Sequence, residues 1–300
     1  MMRLDKWLKQ KYPGLSGRQI EEAIVHRLVI GDAGETLKKG GKIEALPNCK
    51  PLDDHLLVLK SGSENKDKRW EAISVIKEES GFSVIDKPAG IPSHPLSLFD
   101  THTVTHWAFA KYPEARLEFE AEIQPTLCPH RLDTDTSGAL IVCFTRTSFE
   151  KWRLWFKQKQ IVKTYLAWCW GSPKAGEWVE DLPLAHSVND PRKMVSLGTK
   201  NIRYRASPMS AETSFRVIRT LKDKFLVEAT MRTGVTHQVR VHLANAGAPL
   251  IGDGLYDLKF DKRVQNKKGH LLRAFRIERM NRKQVEWSVE LNTTDFRNYF

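Results

Sequence analysis

Cysteine is scarce and badly spaced for chemistry: Cys49, Cys128, Cys143 and Cys169 are the only four in 300 residues, and no two of them form a C-x-x-C pair. That excludes a zinc knuckle, a thioredoxin-like motif and a disulfide scaffold, and leaves reduced, buried thiols as the expectation. Long apolar runs are missing too, since nothing approaches the roughly 18 residues of a membrane span. The opening MMRLDKWLKQK is charged from its third residue, without the apolar centre of a secretory signal or the acid-poor, serine-rich character of an organelle transit peptide. A cytoplasmic protein with no membrane partner is expected. Also absent are G-x-x-x-x-G-K-[ST], a G-x-G-x-x-G after a strand, H-E-x-x-H and G-x-S-x-G, so ATP, NAD, catalytic zinc and a nucleophile elbow have no visible site. Acid is short relative to base: the net charge of +12 points to a polyanionic partner. A hydrophobic content of 41 % with 9 Trp and 13 Phe argues for a folded chain rather than a basic disordered tail.

The first sixty residues read as a small unit. Leu4, Trp7 and Leu8 form one stripe of a short helix that Pro13 and Gly14 end. Ser16 followed by Gln19 is a capping-box signature, and Ile20, Ala23, Ile24 and Leu28 mark the buried face of a second helix, leaving Arg18 and Arg27 to solvent. Short strands around tight turns follow, near Val29, Ile30, Ile43 and Leu46. The pieces RLDKWL, LSGRQIEEAI and LVIGD resemble the S-four RNA-binding domain. That resemblance implies docking on structured RNA, with Arg3, Lys6, Lys9, Arg18 and Gln19 as candidates.

Residues 61–69 read SGSENKDKR, the composition of an exposed linker. The expected organisation is therefore an RNA-binding unit over 1–60, a linker over 61–70 and a second domain over 71–300. In the latter, strands are expected over 73–77, 82–86, 139–144, 161–168, 213–221, 225–231, 271–277 and 285–291, with helices around Val104–Ala108 and Phe149–Phe156. So many strands with so few helices between them predict an α+β fold with a mixed, mostly antiparallel sheet.

Two polar knots stand out. The first, residues 130–138 (HRLDTDTSG), crowds the mouth of an apolar strand. Asp and Thr side chains bonding neighbouring backbone in a turn would account for it as well as chemistry would. The second, residues 232–243 (RTGVTHQVRVHL), passes from a strand end into a helix closed by Gly247, on which Thr236 and Arg240 would share a face. Arg240 lies between Val239 and Val241, and an arginine in apolar company calls for a carboxylate partner because a lone buried guanidinium costs several kcal/mol.

Together with KTYLA at 163–167, IDKPAGIPSHP at 85–95 and the longer stretch 232–257, the first knot resembles the RluA-type pseudouridine synthase family, its motifs in family order. The departures are Val235, where arginine is common, and Ala248, where histidine is common; they bear on substrate contacts. The resemblance implies isomerisation of uridine within RNA, without a cofactor or metal. It assigns Asp133 as the catalytic carboxylate, Arg240 as its partner and Tyr165 as the ring beside the target base. Whether Asp133 attacks the sugar, adds to the pyrimidine or removes a sugar proton stays open. Arg131 would enter the space left by an extruded base, with His130 shaping the same loop. Thr136, Arg192, Lys193, Arg232, Thr236, His237 and Gln238 are further substrate-binding candidates, and Lys259, Lys262, Arg263, Lys267 and Lys268 further phosphate contacts. Ribosomal RNA is the first expectation and transfer RNA the second, acted on by a monomer. Two rivals are an inactive RNA-binding factor on the same fold and a glycosidase-like hydrolase using Asp133 with Asp135.

Overall fold

The computed structural model describes residues 2–31, 35–43, 47–53, 68–119, 126–173, 175–198, 203–257 and 269–300. Most of the expected linker, the turn residues 32–34, Leu46 and the basic cluster 259–268 lie outside the described residues. No described helix is long and apolar enough to cross a membrane.

The N-terminal unit comprises β1 (Met2–Arg3), α1 (Leu4–Lys11), α2 (Gly17–Val25) and β2 (Lys42–Ile43), with β1 and β2 antiparallel. The capping box forms: Gln19 N donates to Ser16 Oγ at 3.3 Å and Ser16 N donates to Gln19 Oε1 at 2.8 Å. Gln19 is therefore buried and bonded within its own helix end, which corrects its place among the RNA-docking candidates. Lys9 donates to the carbonyls of Pro13 and Leu15, Arg3 pairs with Asp5 and Arg18 with Glu22, while Lys6 is exposed. The apolar stripe buries Leu4, Leu8, Ile20, Ala23 and Ile24 in one core, which also takes in Leu98 from far along the chain. Glu22 fixes that contact, its Oε2 accepting from Ser97 Oγ at 2.8 Å and Leu98 N at 2.9 Å.

The larger part is built on a nine-stranded sheet in the order β3-β4-β5-β13-β6-β12-β11-β7, with β14 paired to β13. These strands are β3 (Ser74–Glu79), β4 (Phe82–Lys87), β5 (Ser137–Cys143), β6 (Ile161–Trp170), β7 (Glu177–Glu180), β11 (Thr213–Thr220), β12 (Lys224–Met231), β13 (Leu272–Asn281) and β14 (Gln284–Glu290). All pairings are antiparallel except a two-residue parallel contact of β13 with β5, so the mixed, mostly antiparallel sheet agrees with the sequence reading. The central β6 is buried along nearly its whole length, as expected for a strand covered on both faces; β11 alternates buried and exposed at its start, as expected near an edge. Helices α3 (Val104–Lys111), α4 (Ala115–Glu118) and α5 (Arg146–Lys157) cover one side, and Phe149 and Trp152 of α5 join the main core. A three-stranded sheet of β8 (Leu184–Ser187), β9 (Met194–Ser196) and β10 (Tyr204–Met209) had no counterpart in the sequence reading, because its strands are short and β10 is exposed along its length. Helix α6 (Gln238–Asn245) follows β12, and α7 (Thr294–Arg297) closes the chain.

Gly138 lets β5 begin where it does. Its φ is +114°, and a Cβ there would lie 1.9 Å from the carbonyl oxygen of Ala274 on β13. Gly90 also has positive φ, +87°, but faces open space. Gly138→Ala is expected to abolish cooperative folding or cost more than about 4 kcal/mol, whereas Gly90→Ala should cost about 1–2 kcal/mol of backbone strain. Urea titrations of the two variants check the contrast.

Candidate active site

The turn ahead of β5 is tied down from beneath. Thr136 N donates to Asp133 O at 3.1 Å, and the Ser93 hydroxyl links Leu132 from both sides, accepting from its N at 3.0 Å and donating to its carbonyl at 2.9 Å. Lys87, fully buried at the end of β4, sends its ammonium to the carbonyls of Pro88, Ile91 and Thr134 at 2.9, 2.8 and 3.0 Å. Those three acceptors satisfy its three donors, although burial still brings its pKa down to about 8. Thr136 Oγ1 lies 2.8 Å from His270 Nε2. Asp133 thus projects from a braced loop.

From the other side comes α6. His237, at its N-cap, has φ +57°, so the helix begins after it, and Thr236 is not on the helical face it was expected to share with Arg240. Arg240 lies in the first turn and holds two carboxylates. Its Nη1 donates to Asp133 Oδ2 at 2.8 Å, while Nε and Nη2 grip Asp253 Oδ2 and Oδ1 at 2.8 and 2.9 Å. Asp253 also accepts from the backbone N of Leu255 and Tyr256. Burial works against the charge on Asp133; the facing His237 and Arg240 outweigh it, and the carboxyl titrates below its ordinary value. Burial lowers the pKa of His237, with Asp133 acting in the opposite direction. For Arg240, burial is outweighed by Asp253 and then Asp133, and its pKa is raised.

These two stretches meet at a cleft also lined by Arg131, Thr136, Lys163, Tyr165, Thr236 and His237. Asp133 is the one carboxylate in its lining among the described residues; Asp135 does not reach it. Tyr165 is held as a neutral phenol by burial and by the charge of Asp133, both raising its pKa. Tyr256 Oη accepts from Met194 N at 2.9 Å and lies 2.8 Å from His237 Nδ1. A hydroxyl proton given to Nδ1 leaves the imidazole proton on Nε2, 3.8 Å from Asp133 Oδ2.

The other sequence candidates divide by location. Arg131 is exposed at the mouth, its Nη1 3.1 Å from His94 Nε2; burial and then Arg131 bring His94 down to about 4, so His94 is the acceptor. His130 is turned beneath the loop, accepting from Ile141 N at 3.0 Å and lying 4.8 Å from the Phe156 ring, outside the cleft lining. Gln238 reaches the lining, yet its amide is bonded to Thr233, Val235, Glu212 and Thr213. His130 thus supports the Asp133 loop from outside the cleft, while Gln238 lines the cleft and at the same time ties the loop ahead of α6 to the start of β11. Arg232 donates to the Lys159 carbonyl outside the cleft. Arg192 is exposed and paired with Asp190 in the turn between β8 and β9, beside Lys193. The cluster 259–268 lies outside the described residues. Asp253, Lys163, Tyr256 and His270 were missed, since single residues in a turn or strand carry no spacing signal. No group of three or more metal-ligating side chains is gathered among the described residues.

Residues 81–245 match the family described as RNA pseudouridylate synthase. The chain is 30 % identical over 262 residues to an uncharacterised RNA pseudouridine synthase of Synechocystis, covering 85 % of this chain and 74 % of that one. It is 28 % identical over 260 residues to the ribosomal large subunit pseudouridine synthase D of Yersinia pestis, covering 85 % and 72 %. Its fold is similar to that of the human RNA pseudouridylate synthase domain containing 1, with TM-score 0.60 and 20 % identity over 76 % of this chain and 86 % of that one.

Asp253→Ala removes the two-point partner of a buried guanidinium and leaves it the single Asp133 contact, which should lower the unfolding free energy by up to about 3 kcal/mol, while Asp190→Ala, at an exposed pair, should leave it unchanged; denaturant titration compares them. Acid should weaken the fold as well. His94 and His270 titrate near 4 and His130 near 3, all chiefly through burial. The unfolded chain therefore binds more protons than the folded one as pH drops below about 6.5, and stability falls with it, by on the order of 1–2 kcal/mol per histidine at pH 5. Denaturation midpoints at pH 7 and 5 for wild type and a His270→Gln variant measure the share of one site.

Proposed function

This chain belongs to the RNA pseudouridylate synthase family and is an RNA pseudouridine synthase; we propose that it acts on structured ribosomal RNA, with Asp133 as nucleophile, Arg240 as its counter-ion and Tyr165 against the target base. The observation that carries this reading is the 2.8 Å contact of Arg240 Nη1 with Asp133 Oδ2 in a cleft that Tyr165 also lines. The isomerisation breaks C1′–N1, turns the base and forms C1′–C5; N1 gains a proton and C5 loses one. An ionised carboxylate suits the first step because it can attack the anomeric carbon as positive charge develops there. Arg240 keeps it ionised despite its burial. A glycosidase would need a second carboxylate beside the first, and among the described residues the cleft lining holds one acid, which favours isomerisation over hydrolysis.

A stacked uridine must leave its helix to reach Asp133, and Arg131, exposed two residues ahead of it, is placed to fill the gap. Thr236 and His237 contact the extruded nucleotide from the cleft wall. Arg192, Lys193 and Arg232 neutralise phosphates around the mouth. The N-terminal unit is an S-four-like domain that docks RNA through Arg3, Lys6, Lys9 and Arg18, the domains being 1–60 and 71–300 joined by the linker 61–70. The ribosomal assignment draws on the name of the Yersinia relative and on this unit.

Purified protein should release tritium from RNA carrying C5-tritiated uridine, and Asp133→Asn should reduce the rate at least about 10³-fold with RNA affinity retained. Equal release by both forms overturns the role of Asp133; free uracil as product overturns isomerisation. Pseudouridine mapping in cells lacking the protein should show sites lost from ribosomal RNA; loss from transfer RNA alone would transfer the assignment there.

A further inference from the structure

Among the described residues two lysines are buried, and they differ in what surrounds their charge. Lys87 gives its three donors to the carbonyls of Pro88, Ile91 and Thr134. Lys163, on β6, is only 5 % exposed, yet its ammonium makes no hydrogen bond or ion pair with any described residue. It lies against the backbone of Gly234, where an added Cβ would be 3.2 Å from Nζ, and 5.9 Å from the Phe156 ring centroid. Its positive charge helps keep His130 neutral.

Lys163 lies in the lining of the cleft, and its ammonium is not one of the fully buried polar atoms left without a partner, so the charge reaches the cleft rather than being sealed in the core. Lys163 and Tyr165 are two apart on one strand, so their side chains leave the same face about 7 Å apart. A pyrimidine stacked on Tyr165 would lie on the face of β6 that Lys163 shares. Burial brings the lysine's pKa to about 8, so most of it is charged at neutral pH.

The reaction passes through a species that such a charge would hold. When C1′–N1 breaks, the electron pair stays with the base and spreads over N1, O2 and O4. We propose that the Lys163 ammonium hydrogen-bonds a ring carbonyl oxygen of the target uracil and stabilises the anion the base becomes between loss of the C1′–N1 bond and formation of the C1′–C5 bond. C5 then attacks C1′ and displaces the Asp133 carboxylate, and the C5 proton is replaced by one on N1, so Lys163 ends with the proton it began with. This rests on the assignment of Asp133 above and adds the group that faces the base rather than the sugar.

The test uses full-length protein and total RNA from cells lacking it, labelled with C5-tritiated uridine. Lys163→Met should lower the single-turnover tritium release about 10²–10³-fold, the loss typical of a group that stabilises developing charge. Its RNA affinity in filter binding should stay within about threefold of wild type, and Lys163→Arg should recover part of the rate. A more acidic base needs less help: on RNA carrying 5-fluorouridine, with loss of the N1-linked nucleoside read by mass spectrometry, the penalty for Lys163→Met should shrink. If Lys163→Met does not fold, Lys163→Gln is compared on the two substrates in its place. A variant within about threefold of wild type, or an equal penalty on both substrates, overturns the proposal. Loss of activity in Asp133→Asn beside an unimpaired Lys163→Met would sink this inference and leave the function standing; activity retained in Asp133→Asn would sink the function itself.

Discussion

A guanidinium shared between two carboxylates holds together the parts of this protein that would otherwise be strangers. Arg240 reaches Asp133 from a helix 107 residues further along the chain and is itself clamped by Asp253 in the following turn. One positive charge between two negative ones in a buried site is tolerable because every partner is hydrogen-bonded, Asp253 by two backbone amides besides the arginine. Asp253 fixes the plane of the guanidinium, and that plane fixes where Asp133 points. The carboxylate is thereby kept charged without being saturated, since one of its oxygens carries the arginine contact.

The loops that bring these groups together are rigid for identifiable reasons. The segment from Lys87 to Ser93 supports the Asp133 turn through the lysine ammonium and the serine hydroxyl, while Gly138 lets the following strand lie against β13 without a side chain in the way. A few residues on, the same segment supplies Leu98 to the N-terminal core, fixed there by Glu22. A single stretch of chain therefore braces the Asp133 turn and seats the N-terminal unit. Arg131 stands beside it, at His94.

A second line of contacts runs from the basic turn at Arg192 and Lys193 to the site. Met194 N donates to the Tyr256 hydroxyl, which meets His237, which faces Asp133. The backbone next to the basic turn is thus tied through one tyrosine hydroxyl to the imidazole that faces Asp133.

The amino-acid pattern alone carried the helix pair with its capping box, the principal strands of the large sheet and the polar knots at 130–138 and 232–243. Each leaves a local mark: an apolar stripe, a Ser with Gln three residues later, an apolar run bounded by turn residues. It carried the need of Arg240 for an acid, because burial of a guanidinium demands one wherever it occurs, but not which acids answer it. That both Asp133 and Asp253 do so, that His130 and Gln238 face inward to backbone, that Gln19 is consumed by its own helix end and that Lys163 lies unpaired beside Tyr165 were decided by the tertiary structure. Side-chain direction and partner identity at these positions depend on chain segments as much as 107 residues apart, and no periodicity within one segment can encode them.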